Sequence, residues 1–92
     1  MNILANDGIS ESGVDTLKSH GFNITNKNVA QEQLANYINT NSIEIILVRS
    51  ATTVRKDLID LCPNIKLIGR GGVGMDNIDV EYAKKKKIHV MN

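Results

Sequence analysis

The sequence predicts an α/β domain: a five-stranded parallel sheet in the order 2-1-3-4-5, with helices on both faces. Three observations lead there. Short apolar runs alternate with stretches of helical periodicity along the whole chain, the pattern of successive βαβ units. Ile43–Val48 is rich in β-branched residues and almost uninterrupted, which suits a parallel strand buried on both faces. Turn and stop residues such as Asp7-Gly8, Gly21 and Pro63 fall between these runs.

Taken in order, Asn2–Asn6 reads as the first strand and meets the turn pair Asp7-Gly8. Ser10 is the candidate N-cap of a helix whose stripe begins at Val14, Leu17 and Lys18, with Gly21 in the C′ position. Phe22–Thr25 reads as a short second strand with little apolar content. Ala30, Leu34, Tyr37 and Ile38 fall at i, i+4, i+7 and i+8, one face of a second helix. Beyond the third strand, Thr52 or Thr53 is placed to cap a helix with Val54, Leu58, Ile59 and Leu61 on its apolar face, and Pro63 ends it. Lys66–Gly69 is the fourth strand and Gly71–Met75 a glycine-rich loop. Asp76 and Asp79 are candidates to cap a turn and the short helix Val80–Lys87, and Ile88–Met91 closes as the fifth strand. In such a flavodoxin-like sheet, ligands bind beyond the carboxyl ends of the strands. That rule selects the segments after strands 1, 3 and 4.

Composition narrows the classes of function. The 92 residues make one domain, and 41% hydrophobic with 23% charged residues is a globular balance. A net charge of +1 supplies no broad field for nucleic acid or an anionic membrane. Phe22, Tyr37 and Tyr82 are too few aromatics for a base-stacking platform. The single cysteine, Cys62, excludes an internal disulfide framework and any multi-cysteine zinc site. No signal-peptide pattern opens the chain, and its longest apolar run, Ile45–Val48, is far short of the ~20 residues that span a bilayer. A cytoplasmic protein without membrane or nucleic-acid partners is the expectation.

Gly69-Arg70-Gly71-Gly72-Val73-Gly74 satisfies G-x-G-x-x-G after a strand. In a dinucleotide fold that motif occupies the first βα turn and opens a helix, with an acidic residue ~20 positions on. Here it follows the fourth strand, and Asp76, Asn77 and Asp79 precede the helix-forming sequence. The placement argues against a dinucleotide site and leaves a plain glycine turn or an anion-binding loop, in which Gly71, Gly72 and Gly74 let backbone N–H groups converge. Arg49 and Arg70 end adjacent strands in the proposed order, and a guanidinium binds carboxylate or phosphate through two parallel hydrogen bonds. Each arginine could instead pair with a local carboxylate. Ser50 and Thr52 could donate to the same anion or serve as caps. The run Lys84–Lys87 is accounted for by a helix C-terminus. His20 and His89 lack metal-ligand spacing, and Cys62 reads as a packing residue.

Two stretches then resemble a known family. Val48-Arg49-Ser50-Ala51-Thr52 and Ile68-Gly69-Arg70-Gly71-Gly72-Val73-Gly74-Met75-Asp76-Asn77-Ile78-Asp79 are similar to the substrate domain of D-isomer-specific 2-hydroxyacid dehydrogenases, and within them to the branch that oxidises 3-phosphoglycerate. The ending Ile88–Asn92 looks like the strand before that family's interdomain crossover. Gly72 stands where alanine is common in the branch. The resemblance implies NAD-linked oxidation of 3-phosphoglycerate to 3-phosphohydroxypyruvate, the entry to serine biosynthesis. It implies that Arg49, Ser50, Arg70, Gly71, Gly72, Val73 and Gly74 bind the anionic substrate, with the Gly72-Val73 N–H groups on its carboxylate. Asp76-Asn77-Ile78-Asp79 would mainly shape the loop and the next helix.

The family's NAD-binding Rossmann domain and its catalytic arginine, glutamate and histidine would lie beyond Asn92. The expectation is therefore residues 1–92 as the N-terminal segment of a substrate-binding domain, with no catalytic residue, no cofactor or metal of its own, and no activity alone. In that family a C-terminal segment returns to complete this domain, so the resemblance implies that a missing helix would leave an apolar patch open to self-association. The rival reading is a stand-alone flavodoxin-like or receiver-like signalling module. A receiver needs clustered acids after strand 1 and an aspartate ending strand 3, where this chain has only Asp7 and then Arg49.

Overall fold

The computed structural model describes residues 1–71 and 76–91. In chain order it contains β1 (Asn2–Ala5), α1 (Glu11–Ser19), β2 (Asn23–Asn26), a 3-10 turn (Gln31–Gln33) running into α2 (Leu34–Thr40), β3 (Ile45–Val48), α3 (Lys56–Leu61), β4 (Leu67–Arg70), α4 (Val80–Lys85) and β5 (His89–Met91). The strands form one five-stranded sheet in the order β2-β1-β3-β4-β5, and every pairing is parallel. The α/β class and the strand order are those read from the sequence.

Connectivity decides which face each helix covers. The chain steps from β1 to β2, returns past β1 to β3, and continues to β4 and β5. Right-handed crossovers taken in opposite directions put α1 on one face and α2, α3 and α4 on the other. The register agrees. Leu4, Ile46, Ile68 and Val90 lie side by side and point to one face. They join a core with Leu34, Ile38, Leu58, Ile59 and Ala83 from the three helices. The next row, Ala5, Leu47, Gly69 and Met91, points to the α1 side. There α1 packs against β2, Leu47 is half-buried and Met91 is 49% exposed.

Several element ends follow local chemistry. The Ser10 side chain accepts the Gly13 N–H at 3.2 Å and caps α1. Gly21, at φ +86°, closes α1, and the Phe22 N–H reaches back to the Leu17 carbonyl at 3.2 Å. At the end of α4, Lys87 takes the left-handed position that glycine favours, φ +62°, and the Ile88 N–H bonds the Ala83 carbonyl at 2.9 Å.

Several expectations needed correction, among them that for Leu61, which is 61% exposed and not on the buried face of α3. The second helix does not start its regular turns at Ala30. Residues Gln31–Gln33 form a tighter 3-10 turn, from which the Gln31 side chain holds the backbone of Thr53 through both its amide atoms, at 2.9 and 3.0 Å. Nor does Thr52 or Thr53 cap the third helix. Arg55 occupies the N-cap position, and the Lys56 N–H is accepted at 2.8 Å by the Asp79 carboxylate, which arrives from the loop after β4. Asp79 makes no side-chain cap bond to its own helix, α4. Among the described residues no helix is long and apolar enough to cross a membrane.

Candidate functional site

The strand order reverses between β1 and β3, so the loops leaving their carboxyl ends diverge to opposite faces and open a crevice. Asp7 stands at that point. Its φ is +76°, followed by Gly8 at +89°, a pair that turns the chain sharply toward α1. The Asp7 carboxylate reaches across to the loop after β3. One oxygen accepts the N–H groups of Arg49 and Thr52, each at 2.9 Å, and the other accepts the Thr52 hydroxyl at 2.6 Å. Partial burial pushes the carboxyl up. The Thr52 hydroxyl, then the N–H groups of Arg49, Thr52 and Ala51, outweigh that and hold it below the usual carboxylate range. Asn6 completes the knot. It is buried and bonds the Val29 backbone at 2.7 and 3.1 Å and the Thr52 Oγ1 at 2.9 Å.

A second set of bonds joins the loop after β3 to the loop after β4. Val54 and Ile78 form an isolated parallel bridge, with the Val54 N–H on the Asn77 carbonyl at 2.9 Å and the Asp79 N–H on the Val54 carbonyl at 3.0 Å. Asp79 pairs with Arg55 at 3.1 Å. The Lys56 N–H, then Arg55, lower its carboxyl. Asn77 is 8% exposed. Its Nδ2 donates to the carbonyls of Arg49 and Thr52, both at 2.6 Å, and its Oδ1 accepts from Arg70 Nε at 2.7 Å.

The sequence-predicted residues fall into three groups. Arg49, Arg70 and Gly71 share one cleft of about 410 Å³ with Gly8, Ser10 and Met91. Arg70 pairs with Val48 in the sheet, so it starts toward the α2–α4 side, where Asn77 meets it. Arg49 lies on the other side of the rim, and a Cβ built on Gly71 would stand 3.7 Å from Arg49 Nε. The arginines thus flank the β4 end from its two faces. No hydrogen bond or ion pair holds the Arg49 guanidinium among the described residues. Ser50 is exposed and lines a neighbouring groove with Asn6, Asp7 and Thr52 instead. Gly72, Val73 and Gly74 lie outside the described residues.

Gly71 departs from its expected part. Its N–H is engaged with the Val48 carbonyl at 2.9 Å, extending the ladder between β3 and β4, so it is not turned toward an anion. A Cβ there would touch Arg49 only at ordinary contact distance, 3.7 Å from Nε, so Arg49 does not require the glycine. Sequence reasoning missed Asp7 and Asn6 as organisers of the site, and gave Asn77 only a part in shaping its own loop, not the bonds to Arg49 and Thr52. The available signal was that Asn6 and Asp7 directly follow β1, where small polar side chains hydrogen-bond neighbouring backbone readily.

The described residues do not fit a dinucleotide. Gly69, the first glycine of G-x-G-x-x-G, lies inside β4 and not in a turn. The Leu47 side chain lies across it, and an added Cβ would fall 2.7 Å from Leu47 Cδ2. The first βα turn, where a pyrophosphate would rest, presents the carboxylate of Asp7. Among the described residues there is also no group of three or more His, Cys, Asp or Glu side chains able to hold a metal ion.

Comparison with known proteins agrees with this geometry. The family described as D-isomer specific 2-hydroxyacid dehydrogenase, catalytic domain, matches residues 3–92. The chain is 37% identical to a D-3-phosphoglycerate dehydrogenase of Archaeoglobus fulgidus, over 100% of this chain and 17% of that protein. It is 35% identical to a hydroxypyruvate reductase of Thermotoga maritima, over 95% of this chain and 28% of the relative. The crystal structure of an NAD+-bound 3-phosphoglycerate dehydrogenase of Entamoeba histolytica superposes with a TM-score of 0.80 at 28% identity, covering 100% of this chain and 32% of that one. The chain therefore spans less than a third of the length of each of these proteins. With the fold, the strand-end arginines and the match over residues 3–92 in agreement, the chain belongs to the D-isomer specific 2-hydroxyacid dehydrogenase family.

Proposed function

We propose that this chain is the N-terminal segment of the substrate-binding domain of an NAD-dependent D-2-hydroxyacid dehydrogenase, and that its cleft receives an anionic end of the substrate. The observation that carries the reading is the pair Arg49 and Arg70, lining one cleft at the carboxyl ends of adjacent strands. Two guanidinium groups flanking the end of one strand suit a small substrate with two separated anionic groups, and 3-phosphoglycerate, carboxylate at one end and phosphate at the other, meets that demand. Its oxidation to 3-phosphohydroxypyruvate in serine biosynthesis is the activity we infer for the full-length enzyme.

In this reading the chain binds and orients the substrate. Hydride transfer needs a nicotinamide against the substrate carbon and a group that moves the hydroxyl proton. Both would come from a separate coenzyme domain, and the 92-residue chain is inactive without it. The similarity to a hydroxypyruvate reductase makes an unphosphorylated 2-hydroxy acid the competing substrate.

The test is an amide-shift titration of the isotope-labelled chain with 3-phosphoglycerate, glycerate and inorganic phosphate in turn. 3-Phosphoglycerate is expected to move the amides of Arg49, Ser50, Ala51, Thr52, Arg70 and Gly71 at millimolar levels. Arg49→Ala is expected to weaken that response about tenfold, the loss of one charged hydrogen-bonding group, while leaving the fold intact. A folded chain whose amides stay still at tens of millimolar ligand would remove the anion site. Equal response to glycerate would move the substrate to the unphosphorylated class.

A further inference from the structure

We propose that Asn77 is a positioning residue that couples the two arginine loops, aiming Arg70 and holding the Arg49 loop in register with it. The inference rests on the reading of the cleft as an anion site. One planar amide touches both sides: Nδ2 donates to the carbonyls of Arg49 and Thr52 at 2.6 Å each, and Oδ1 accepts from Arg70 Nε at 2.7 Å. The partners settle the orientation of the amide. Two carbonyls can only accept and a guanidinium can only donate, so Nδ2 and Oδ1 cannot be exchanged. The backbone of Asn77 is itself anchored, its carbonyl receiving the Val54 N–H at 2.9 Å.

The chemistry selects the residue type. An aspartate would still accept from Arg70 but would face two carbonyl oxygens with a negative charge. An apolar residue would leave both carbonyls and Arg70 Nε without this partner in a site 8% exposed. A guanidinium gripped at Nε has fewer orientations to lose when it captures a carboxylate or phosphate. Asn77 thus acts through the arginines and has no need to touch the ligand. Because one amide holds both loops, displacement of either is felt by the other.

The test has a ligand-free arm and a ligand arm, both on the full chain. In the free chain the Arg70 Nε–Hε proton is expected to exchange slowly with water. Asn77→Asp, which retains an acceptor, is expected to keep that protection while shifting the amides of Arg49 and Thr52. Asn77→Ala is expected to lose the protection. In the ligand arm each variant is expected to weaken the 3-phosphoglycerate response about tenfold. The combined Asn77→Ala, Arg70→Ala chain is expected to lose less than the product of the two single effects. Fast Arg70 Nε–Hε exchange in the unaltered chain, or losses that simply multiply, would overturn the proposal. If Asn77→Ala fails to fold, the unaltered chain and Asn77→Asp still decide it. If no anion binds at all, the proposed function fails while the exchange arm still judges the coupling.

Discussion

Replacing Asp7 by Asn is expected to lower the stability of the folded chain by about 1–2 kcal/mol at neutral pH. The substitution keeps the shape of the side chain and its tolerance of the left-handed backbone, φ +76°. One amide oxygen can still accept the N–H groups of Arg49 and Thr52. The NH₂ then faces the Thr52 hydroxyl, which donated to the carboxylate at 2.6 Å and already accepts from Asn6 at 2.9 Å. A hydrogen bond to a charged group is worth about 1.5–3 kcal/mol, and the partial exposure of Asp7 reduces it. In a domain of this size such a loss lowers Tm by roughly 5–15 °C. The pH dependence carries the sign. The folded carboxyl sits below its ordinary value of 3.8, so its contribution is fully present above that value. It is lost as pH falls through the folded value. Urea unfolding of both chains at pH 7 and near pH 2 is the assay, and the gap between them should close at the acid end. Equal stability at pH 7, or a gap unchanged in acid, would refute the role given to the carboxylate.

Other perturbations test the frame around the site. Gly8→Ala should destabilise by about 1–2 kcal/mol in urea unfolding, purely through backbone strain at φ +89°, since an added Cβ there meets nothing within 4 Å. Ile68→Ala, at a fully buried position in the central core row, should lose about 2–5 kcal/mol; a loss below 1 kcal/mol would mean the row is not packed between sheet and helices. Cys62 is 1% exposed and burial pushes its thiol up. Alkylation of the native chain at mildly alkaline pH should therefore track unfolding, and prompt labelling would place the thiol outside the core.

The sheet was legible because its signals are local. The run ending at Val48, the stripe of Leu34 and Ile38, Gly21 after α1 and Pro63 after α3 each announce themselves within a few residues, and handedness converts that order into a topology. The positions of Arg49 and Arg70 at one rim followed from the same rule. What the sequence could not reveal is which polar side chain meets which backbone group. Thr52 looks like a helix cap, yet it answers Asp7, 45 positions away. Asp79 looks like the cap of its own helix, yet it receives Lys56, 23 positions back. Asn77 looks like loop filler, yet it ties Arg49, 28 positions away, to Arg70. Periodicity reports where apolar surface must go, because burial is non-directional and averages over many residues. A hydrogen bond depends on one donor and one acceptor meeting within about 3 Å, and only the folded chain brings such distant pairs that close.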